Sequence, residues 1–282
     1  MRYDNECVRI STVESAVCSF KTEDIMDFLF KSDWLGREQS FLYAPEYLVF
    51  FAVVTLTAIF LPILLRRASD KTVRTIMICM WAFALVMDVF RWSIGWIDTA
   101  VTGGEFHVGS ALPLHTCSTF MYTAPVAIFS KNEKIKTAVC NFLCTINLFG
   151  GIVGMYMGTA MMSCYSMASF YGPEHMIYHS IVIILPLIML VTGFYKPKKH
   201  DMWLGLIVFA IIAIPTFIFD NIFAVDYMYI YDGSTLEPFK ALAAVMPHRL
   251  LWTLVATAGY IGISAIFQFL AIGIRALHNK LK

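Results

Sequence analysis

The sequence predicts an all-α polytopic membrane protein with seven transmembrane helices, its N-terminus outside and its C-terminus in the cytoplasm. Two observations on composition support this fold class: 59% of the 282 residues are hydrophobic and only 15% are charged, whereas soluble domains carry about 25% charged residues. The third observation is that the apolar residues gather in stretches of roughly 20, the length that crosses about 30 Å of hydrocarbon. The formal net charge of +1 provides no basic field for nucleic acid, which excludes that class of partner.

Seven apolar stretches are long enough to span a bilayer. They comprise residues 45–65, 75–96, 111–129, 135–157, 176–195, 203–223 and 249–273. The second carries Asp88 and Arg91, and the third opens with Pro113 and His115. The fourth holds glycines at or near four-residue spacing, which predicts a close-packing face for a neighbouring helix; these are Gly150, Gly151, Gly154 and Gly158.

Lysine and arginine alternate between successive loops, and this alternation sets the predicted orientation. Basic residues fill the segments 66–74, 131–136, 196–199 and 275–282. The loops 97–110 and 158–175 contain no Lys or Arg, and 224–247 contains only Lys240. Because cytoplasmic loops carry the excess of these residues, an odd number of crossings with the N-terminus outside fits the pattern.

The predicted organisation is a single seven-helix membrane domain over residues 45–275, a multi-pass protein of the cell membrane. Residues 1–44 form an extracytoplasmic segment without the features of a cleavable signal peptide, and 276–282 form a cytoplasmic tail. Within the first segment, residues 23–35 have the pattern of an amphipathic helix that lies on the membrane surface, with Thr22 as its N-cap.

Polar residues within the predicted spans concentrate at their outer ends. The set comprises Asp88, Arg91, His115, Cys117, Ser118, Thr119, His175, His179, Asp220, Asn221, His248 and Arg249. An ionisable residue in hydrocarbon costs about 2.5–3.5 kcal/mol on insertion scales, so it seldom lies there without a partner or a task. Since five helices contribute to this end and the inner half has little besides Asn141, the pattern predicts a polar site in the outer leaflet.

Several of these residues also have a structural interpretation. Asp88 and Arg91 are three residues apart on one helix face, and mutual neutralisation is the favoured role for them. Asp220 either orients a histidine or caps a helix end. His248 and Arg249 fit interfacial anchors. The pair His115 and His179, at one depth on two helices, is the part of the set that favours a function.

Histidine is the side chain best suited to general acid–base chemistry near neutral pH. Its partner would be a nucleophile, for which Cys117 is the candidate. On a continuous helix, however, residues two apart such as His115 and Cys117 point about 200° away from each other. Cys117 would then meet another helix, such as the one bearing His179, unless Pro113 distorts the first turn.

Two other classes of function fit parts of the pattern. His175 and His179, four residues apart, suit two ligands on one helix face, with His115 or Asp220 completing a metal site. The segment EHMIYH is not the HExxH motif of zinc proteases. A seven-span protein with its N-terminus outside also has the topology of a receptor or transporter, although no symmetry-related pair of broken helices is visible.

The segment ALPLHTCSTF, residues 111–120, resembles the LPLHxCS signature of the YwaF-like family of bacterial integral membrane proteins. HMIYHSIVIILPL, residues 175–187, is similar to the histidine-bearing helix of that family. DYMYIYDG, residues 226–233, resembles its NYM segment, with Asp226 where Asn is usual. The resemblance covers most of residues 45–275 and is most specific at the first motif.

The resemblance implies a function through a related eukaryotic branch, which is associated with acyl transfer to lyso-ether phospholipids and uses a cysteine and a histidine. His115 and His179 match the two histidines of that branch. Its cysteine directly precedes the first histidine, whereas here Leu114 occupies that place and Cys117 follows two positions later.

We therefore predict an acyltransferase or transacylase of membrane lipid, with a non-enzymatic lipid or small-molecule transporter, or a metal-dependent membrane hydrolase, as alternatives. His115, His179 and Cys117 are the predicted catalytic residues. The predicted supporting residues are Asp88, Arg91, Asp220, Asn221 and His248. If Cys117 is not the nucleophile, the histidines activate an acceptor hydroxyl directly, with Asn221 or Arg91 as the oxyanion donor. We expect no cofactor or metal, and membrane lipids as the partners.

Overall fold

A computed structural model describes residues 45–102, 112–156, 170–233, 237–246 and 248–280, and within these ranges the chain is helical and contains no strand. The helices are α1 (Pro45–Leu64), α2 (Asp70–Thr102), α3 (Phe120–Phe129), α4 (Glu133–Tyr156), α5 (Tyr171–Thr192), α6 (Asp201–Phe223), α7 (Glu237–Ala244) and α8 (Arg249–Lys280). A 3-10 turn, Leu65–Arg67, extends α1. The predicted surface helix at 23–35 lies outside the described residues.

Six of these helices, α1, α2, α4, α5, α6 and α8, are long and apolar enough to cross a membrane. The third predicted span differs from the prediction: α3 has 10 residues and begins at Phe120, because residues 112–119 form turns. Hydroxyl side chains in this run bond the backbone locally, as where Thr119 Oγ1 donates to the carbonyl of Thr116 at 2.7 Å. Such bonds compete with the helical pattern, and Pro113 lacks the N–H that a helix would use.

The helices α4 and α5 form the centre of the bundle. In the most apolar 18 residues of each long helix, 67% of α4 and 78% of α5 is buried inside the protein. The corresponding share is 11–22% for the other four long helices. The outer helices expose large apolar side chains such as Phe60, Ile211 and Leu254. A helix that is apolar all round and buried belongs to the core, whereas exposed apolar faces suit lipid.

The glycines of α4 permit close packing, as predicted. A side chain on Gly151 would collide with Val182 of α5, and one on Gly154 would collide with the imidazole of His179. Gly150 lies against Thr116 and the following residue of the turn segment. Gly158 is outside the described residues. Small residues at this spacing let backbones approach closely, which brings α5 and the turn onto α4.

The lysine- and arginine-rich segments meet at one end of the bundle. Arg74 at the start of α2 donates from Nη1 to the carbonyl of Ile128 at 2.8 Å, and its guanidinium lies 5.9 Å from the ring centroid of Phe194. Arg275 of α8 donates to the carbonyl of Leu190 at 3.3 Å. The polar residues that the sequence places at the other ends of these helices lie in the opposite half.

Candidate functional site

The turn segment 112–119 is held in place by a buried side chain of α4. Asn147 lies in a π-helical turn, Leu143–Asn147, and is 0% exposed. Its Nδ2 donates to the carbonyls of Thr116 and Cys117, at 2.9 and 3.2 Å, and to Thr119 Oγ1 at 3.2 Å. Carbonyls in an irregular buried segment need donors from outside it, and Asn147 supplies them.

Three tyrosines from other elements bind the same segment. Tyr178 of α5 donates to the carbonyl of Cys117 at 3.4 Å. Tyr260 of α8 has its hydroxyl 3.0 Å from Thr116 Oγ1 and donates to the carbonyl of Met228 at 2.9 Å. Tyr227, which follows α6, accepts from the backbone N–H of Leu112 at 3.1 Å. The segment is therefore fixed by four parts of the bundle, a degree of constraint that suits a site requiring defined geometry.

Cys117 is half-buried on this turn, and its thiol lies 4.0 Å from Ser118 Oγ. The backbone N–H groups of Cys117 and Ser118 interact with its sulfur, and Asp88 and Tyr229 belong to its electrostatic surroundings. Since the turn leads directly into α3, the thiol is at the N-terminal end of a helix.

His175 and His179 form a close pair on α5, with ring centroids 4.1 Å apart and the ring planes tilted by 41°. His175 Nε2 is 3.0 Å from the carbonyl of Gly154, and His179 Nδ1 is 2.8 Å from the carbonyl of His175. A carbonyl only accepts, so each of these ring nitrogens carries the proton. In the neutral imidazole of His179, Nε2 is then the nitrogen that can take up a proton.

His115 lies beside the loop that follows α6 and not in the histidine pair. Its ring centroid is 5.0 Å from that of Tyr227 and 6.0 Å from that of Tyr229. His115 nevertheless belongs to the electrostatic surroundings of His179. The two histidines that the sequence singled out therefore occupy one polar region, and the turn bearing Cys117 contacts the helices and loop that surround both.

An ion-pair network joins α2 to α5 in the same region. The guanidinium of Arg91 donates to Asp88 Oδ1 at 3.0 and 2.8 Å, and its Nε is 3.6 Å from Glu174 Oε2. The two carboxylates are 2% and 3% exposed. The predicted pairing of Asp88 with Arg91 is thus observed, and Glu174 is a third member that the sequence reasoning did not single out.

Asp220 supports the loop that packs on His115. It is buried and accepts from the backbone N–H of Tyr227 at 3.2 Å. In the same loop the carboxylate of Asp226 accepts from the N–H groups of Tyr231 and Gly233, at 2.9 and 2.8 Å. Burial raises the pKa of Asp226 to about 6. These two acids organise the wall of the polar region.

Two predicted supporting residues lie on exposed surface. Asn221 donates to the carbonyl of Phe217 at 2.7 Å and accepts from Arg249 Nη2 at 3.1 Å. His248 precedes α8 and is exposed, and its carbonyl accepts from the N–H of Leu251. The structure therefore gives these two a local role at helix ends.

Within the described ranges, no group of three or more His, Cys, Asp and Glu side chains is arranged to hold a metal ion. His175 and His179 each use one ring nitrogen on a backbone carbonyl. Asp220, one of the residues that the sequence offered to complete a metal site, is bonded to the loop after α6.

The residues that sequence reasoning missed are Asn147, Glu174, Tyr178, Tyr227 and Tyr260. Tyrosines read as apolar in a hydropathy pattern, and their hydroxyls become visible only when a partner is known. Asn147 carried a detectable signal, since an amide in the middle of an apolar span requires a partner. Glu174 carried a weaker signal, since it is an acidic residue in a predicted loop, 158–175, that has no basic residues.

Comparison with known proteins adds one result. The model of the TMEM164 family matches residues 40–267. The chain belongs to the TMEM164 family. This TMEM164 match covers all the residues of the polar region, from Asp88 to Tyr260, and places the chain among multi-pass membrane proteins. No curated protein and no solved structure matches the chain.

Proposed function

We propose that the protein is a membrane-embedded acyltransferase or transacylase that moves a fatty acyl group between membrane lipids through a thioester on Cys117. The observation that carries this proposal is the position of Cys117, on a constrained non-helical turn in the same polar region as His179 and His115. The helical spacing that would separate Cys117 from His115 does not apply, because residues 112–119 form turns.

The resemblance to the YwaF-like family and its eukaryotic branch supports the same reaction class. Both histidines of that branch have counterparts here, and Cys117 lies on the same motif at a different position. Because residues 112–119 form turns, helical spacing does not hold Cys117 on the side opposite His115, and the shifted position is compatible with the same role.

The proposed reaction has two balanced steps. The sulfur of Cys117 attacks the ester carbonyl of a donor lipid, the thiol proton passes to His179, and the departing lysolipid oxygen takes that proton. The acyl group is then held as a thioester. The hydroxyl of an acceptor lipid attacks the thioester while the imidazole takes its proton, and that proton returns to the sulfur of Cys117.

We further propose that the chain crosses the bilayer seven times, with residues 112–129 as the third crossing and the polar region towards the outer leaflet. The alternation of lysine- and arginine-rich segments supports this orientation. In that arrangement both lipids enter from the membrane, and the region needs no soluble domain to deliver them.

The decisive experiment supplies a phospholipid with an alkyne-tagged acyl chain to purified protein in nanodiscs and measures hydroxylamine-sensitive label on the chain. Wild type and Cys79→Ser, at an exposed cysteine of α2, are expected to carry the label, and Cys117→Ser to lose it. His179→Ala is expected to slow labelling by about 10²–10⁴. Lipid profiles of cells that express the same variants at equal levels identify the donor and acceptor.

Three outcomes separate the alternatives. Label that persists in Cys117→Ser excludes the thioester on this residue. Histidine-dependent remodelling of lipids without any protein label indicates direct transfer to the acceptor hydroxyl. Lipid profiles that are identical for wild type and all variants, with every variant folded, contradict acyl transfer and direct the next test to transport.

A further inference from the structure

A cleft of about 710 Å³ opens at the lysine-rich end of the bundle, and none of its lining residues belongs to the polar region around Cys117. One wall is formed by the first turns of α4, and the other by residues 193–201 between α5 and α6. Sites for small molecules and headgroups typically enclose about 300–1,000 Å³. The cleft is therefore large enough for a ligand of several functional groups.

The lining of the cleft is predominantly basic. Its ionisable side chains are Lys134, Lys136, Lys196, Lys198, His200, Glu133 and Asp201. Within the described part of the chain, Lys134, Lys196 and Lys198 are exposed and form no ion pair. Three exposed ammonium groups thus line one concave surface, and none of them forms an ion pair within the described residues.

Neither acid of the lining forms an ion pair with these three lysines. Asp201 is 2% exposed and accepts from Tyr195 Oη at 3.0 Å and from the backbone N–H of Lys198 at 2.9 Å. Glu133 lies 4.0 Å from Lys136 Nζ, which also sits 4.5 Å from the ring centroid of Phe194. Asp201 is therefore engaged in holding the wall, and four lysines against two acids leave the lining with a net positive charge that favours an anion.

The backbone that carries the lysines is fixed. Tyr195 Oη accepts from Asn141 Nδ2 of α4 at 3.0 Å, and the carbonyl of Lys198 accepts from Gln268 Nε2 of α8 at 2.6 Å. The side chains of Asn141, Tyr195 and Gln268 that make these bonds are buried. A wall that is ordered before binding lowers the entropy cost of capturing a ligand.

The cleft lies where membrane helices end, since α4 and α6 begin in it and α5 ends beside it. Helix ends of membrane proteins are at the depth of lipid headgroups, and basic pockets at this depth recognise anionic headgroups. We propose that this cleft binds a phosphate-bearing anion, either the headgroup of an anionic phospholipid or a soluble phosphate ester.

The test uses the full-length protein in nanodiscs and two probes. One probe is a fluorescent phosphoinositide bisphosphate added to phosphatidylcholine nanodiscs, and the other is inositol hexakisphosphate in solution above pure phosphatidylcholine nanodiscs. The cleft variant is Lys134→Gln/Lys196→Gln/Lys198→Gln. The matched control, Arg66→Gln/Arg67→Gln/Lys71→Gln, removes the same charge from the turn after α1 and the first turn of α2, outside the cleft.

Wild type and the control are expected to bind at least one probe. The cleft variant is expected to bind that probe on the order of 100-fold more weakly, because each lysine near an anionic surface contributes to the binding free energy. Binding of the lipid probe alone identifies a headgroup site, and binding of the soluble probe identifies a phosphate-ester site. Failure of wild type to bind either probe overturns the proposal. Equal losses in the cleft variant and the control also overturn it, since they indicate non-specific attraction.

Discussion

At the scale of single residues, the tautomer of His179 is the detail with the most direct chemical meaning. Its Nδ1 proton is committed to the carbonyl of His175, one turn earlier on the same helix. The ring also packs against Gly154 of α4, where the absence of a side chain leaves room for it. The imidazole is thus oriented by its own helix and by the packing of a neighbour, as a proton-transfer group requires.

Gly154→Ala is expected to disable the histidine while leaving the bundle folded. The new Cβ would overlap the imidazole of His179, so the ring must rotate or shift. Displacement of a reacting group by about 1 Å costs on the order of 100-fold in rate. The measurement is the rate of acyl labelling of Cys117, with melting in detergent to verify folding. Gly259→Ala is the control, because a side chain at Gly259 would meet nothing within 4 Å.

Asn147→Leu is expected to release the turn that bears Cys117. The substitution keeps the approximate volume but removes the Nδ2 donor shared by two carbonyls and Thr119 Oγ1. A buried group left unsatisfied costs about 1–3 kcal/mol, so the melting temperature falls and the alkylation rate of Cys117 changes. Asn221→Leu, at an exposed position, should alter neither. An unchanged alkylation rate in Asn147→Leu would refute the positioning role.

At the scale of elements, α2 and α5 are joined by opposite charges rather than by apolar packing alone. Arg91 lies between the carboxylates of Asp88, on its own helix, and Glu174, in the first turn of α5. In a low-dielectric setting such a network is costly to break from one side, because a charge is left without its partner. The network also fixes the start of α5 and, with it, the positions of His175 and His179.

Arg91→Met is expected to destabilise the protein more than complete neutralisation of the network does. The single variant leaves two buried carboxylates without a cation, a loss of about 3–5 kcal/mol. The variant Asp88→Asn/Arg91→Met/Glu174→Gln removes all the charges and should recover much of that loss. Melting in detergent measures both, with Arg249→Met at an exposed position as the control. The expectation is contradicted if the triple variant has a lower melting temperature than Arg91→Met.

At the scale of the whole molecule, the bundle has two central helices, four outer long helices and two chemically different ends. One half holds histidines, tyrosines, a cysteine and an ion-pair network, and the other end holds lysines and arginines above a buried amide and tyrosine network. In the proposed topology, separation along the helix axes would bring the two groups to different membrane interfaces. The positive-inside rule then predicts which interface is cytoplasmic.

Accessibility to a membrane-impermeant maleimide is expected to differ between two lysine positions. Lys198→Cys, at the lysine-rich end, should react only after cells are permeabilised, whereas Lys240→Cys on α7 should react in intact cells. The parent protein gives the background from its native cysteines. If both sites react in intact cells, or if neither does, the chain does not cross the membrane an odd number of times between residues 198 and 240. If Lys198→Cys reacts in intact cells and Lys240→Cys does not, the orientation is the reverse of the one proposed.

The sequence determined the class of fold and the clustering of polar groups, because both depend on properties that act along one chain. Apolar stretches and alternating Lys and Arg follow from the cost of charge in hydrocarbon, and six of the seven predicted stretches form long helices. Asp88 and Arg91 were paired by their spacing alone. The four-residue spacing of Gly150 and Gly154 likewise indicated close packing.

Only the tertiary structure decided the details of the polar region, since they depend on partners distant in the sequence. The turn at 112–119 exists because Asn147, Tyr178 and Tyr260, from three other helices, satisfy its backbone and side chains. Local propensity did not distinguish that turn from a helix. Glu174 acquired its role from Arg91, 83 positions earlier in the numbering. A buried hydrogen bond is fixed by where two segments meet in space, and spacing along one segment does not contain that information.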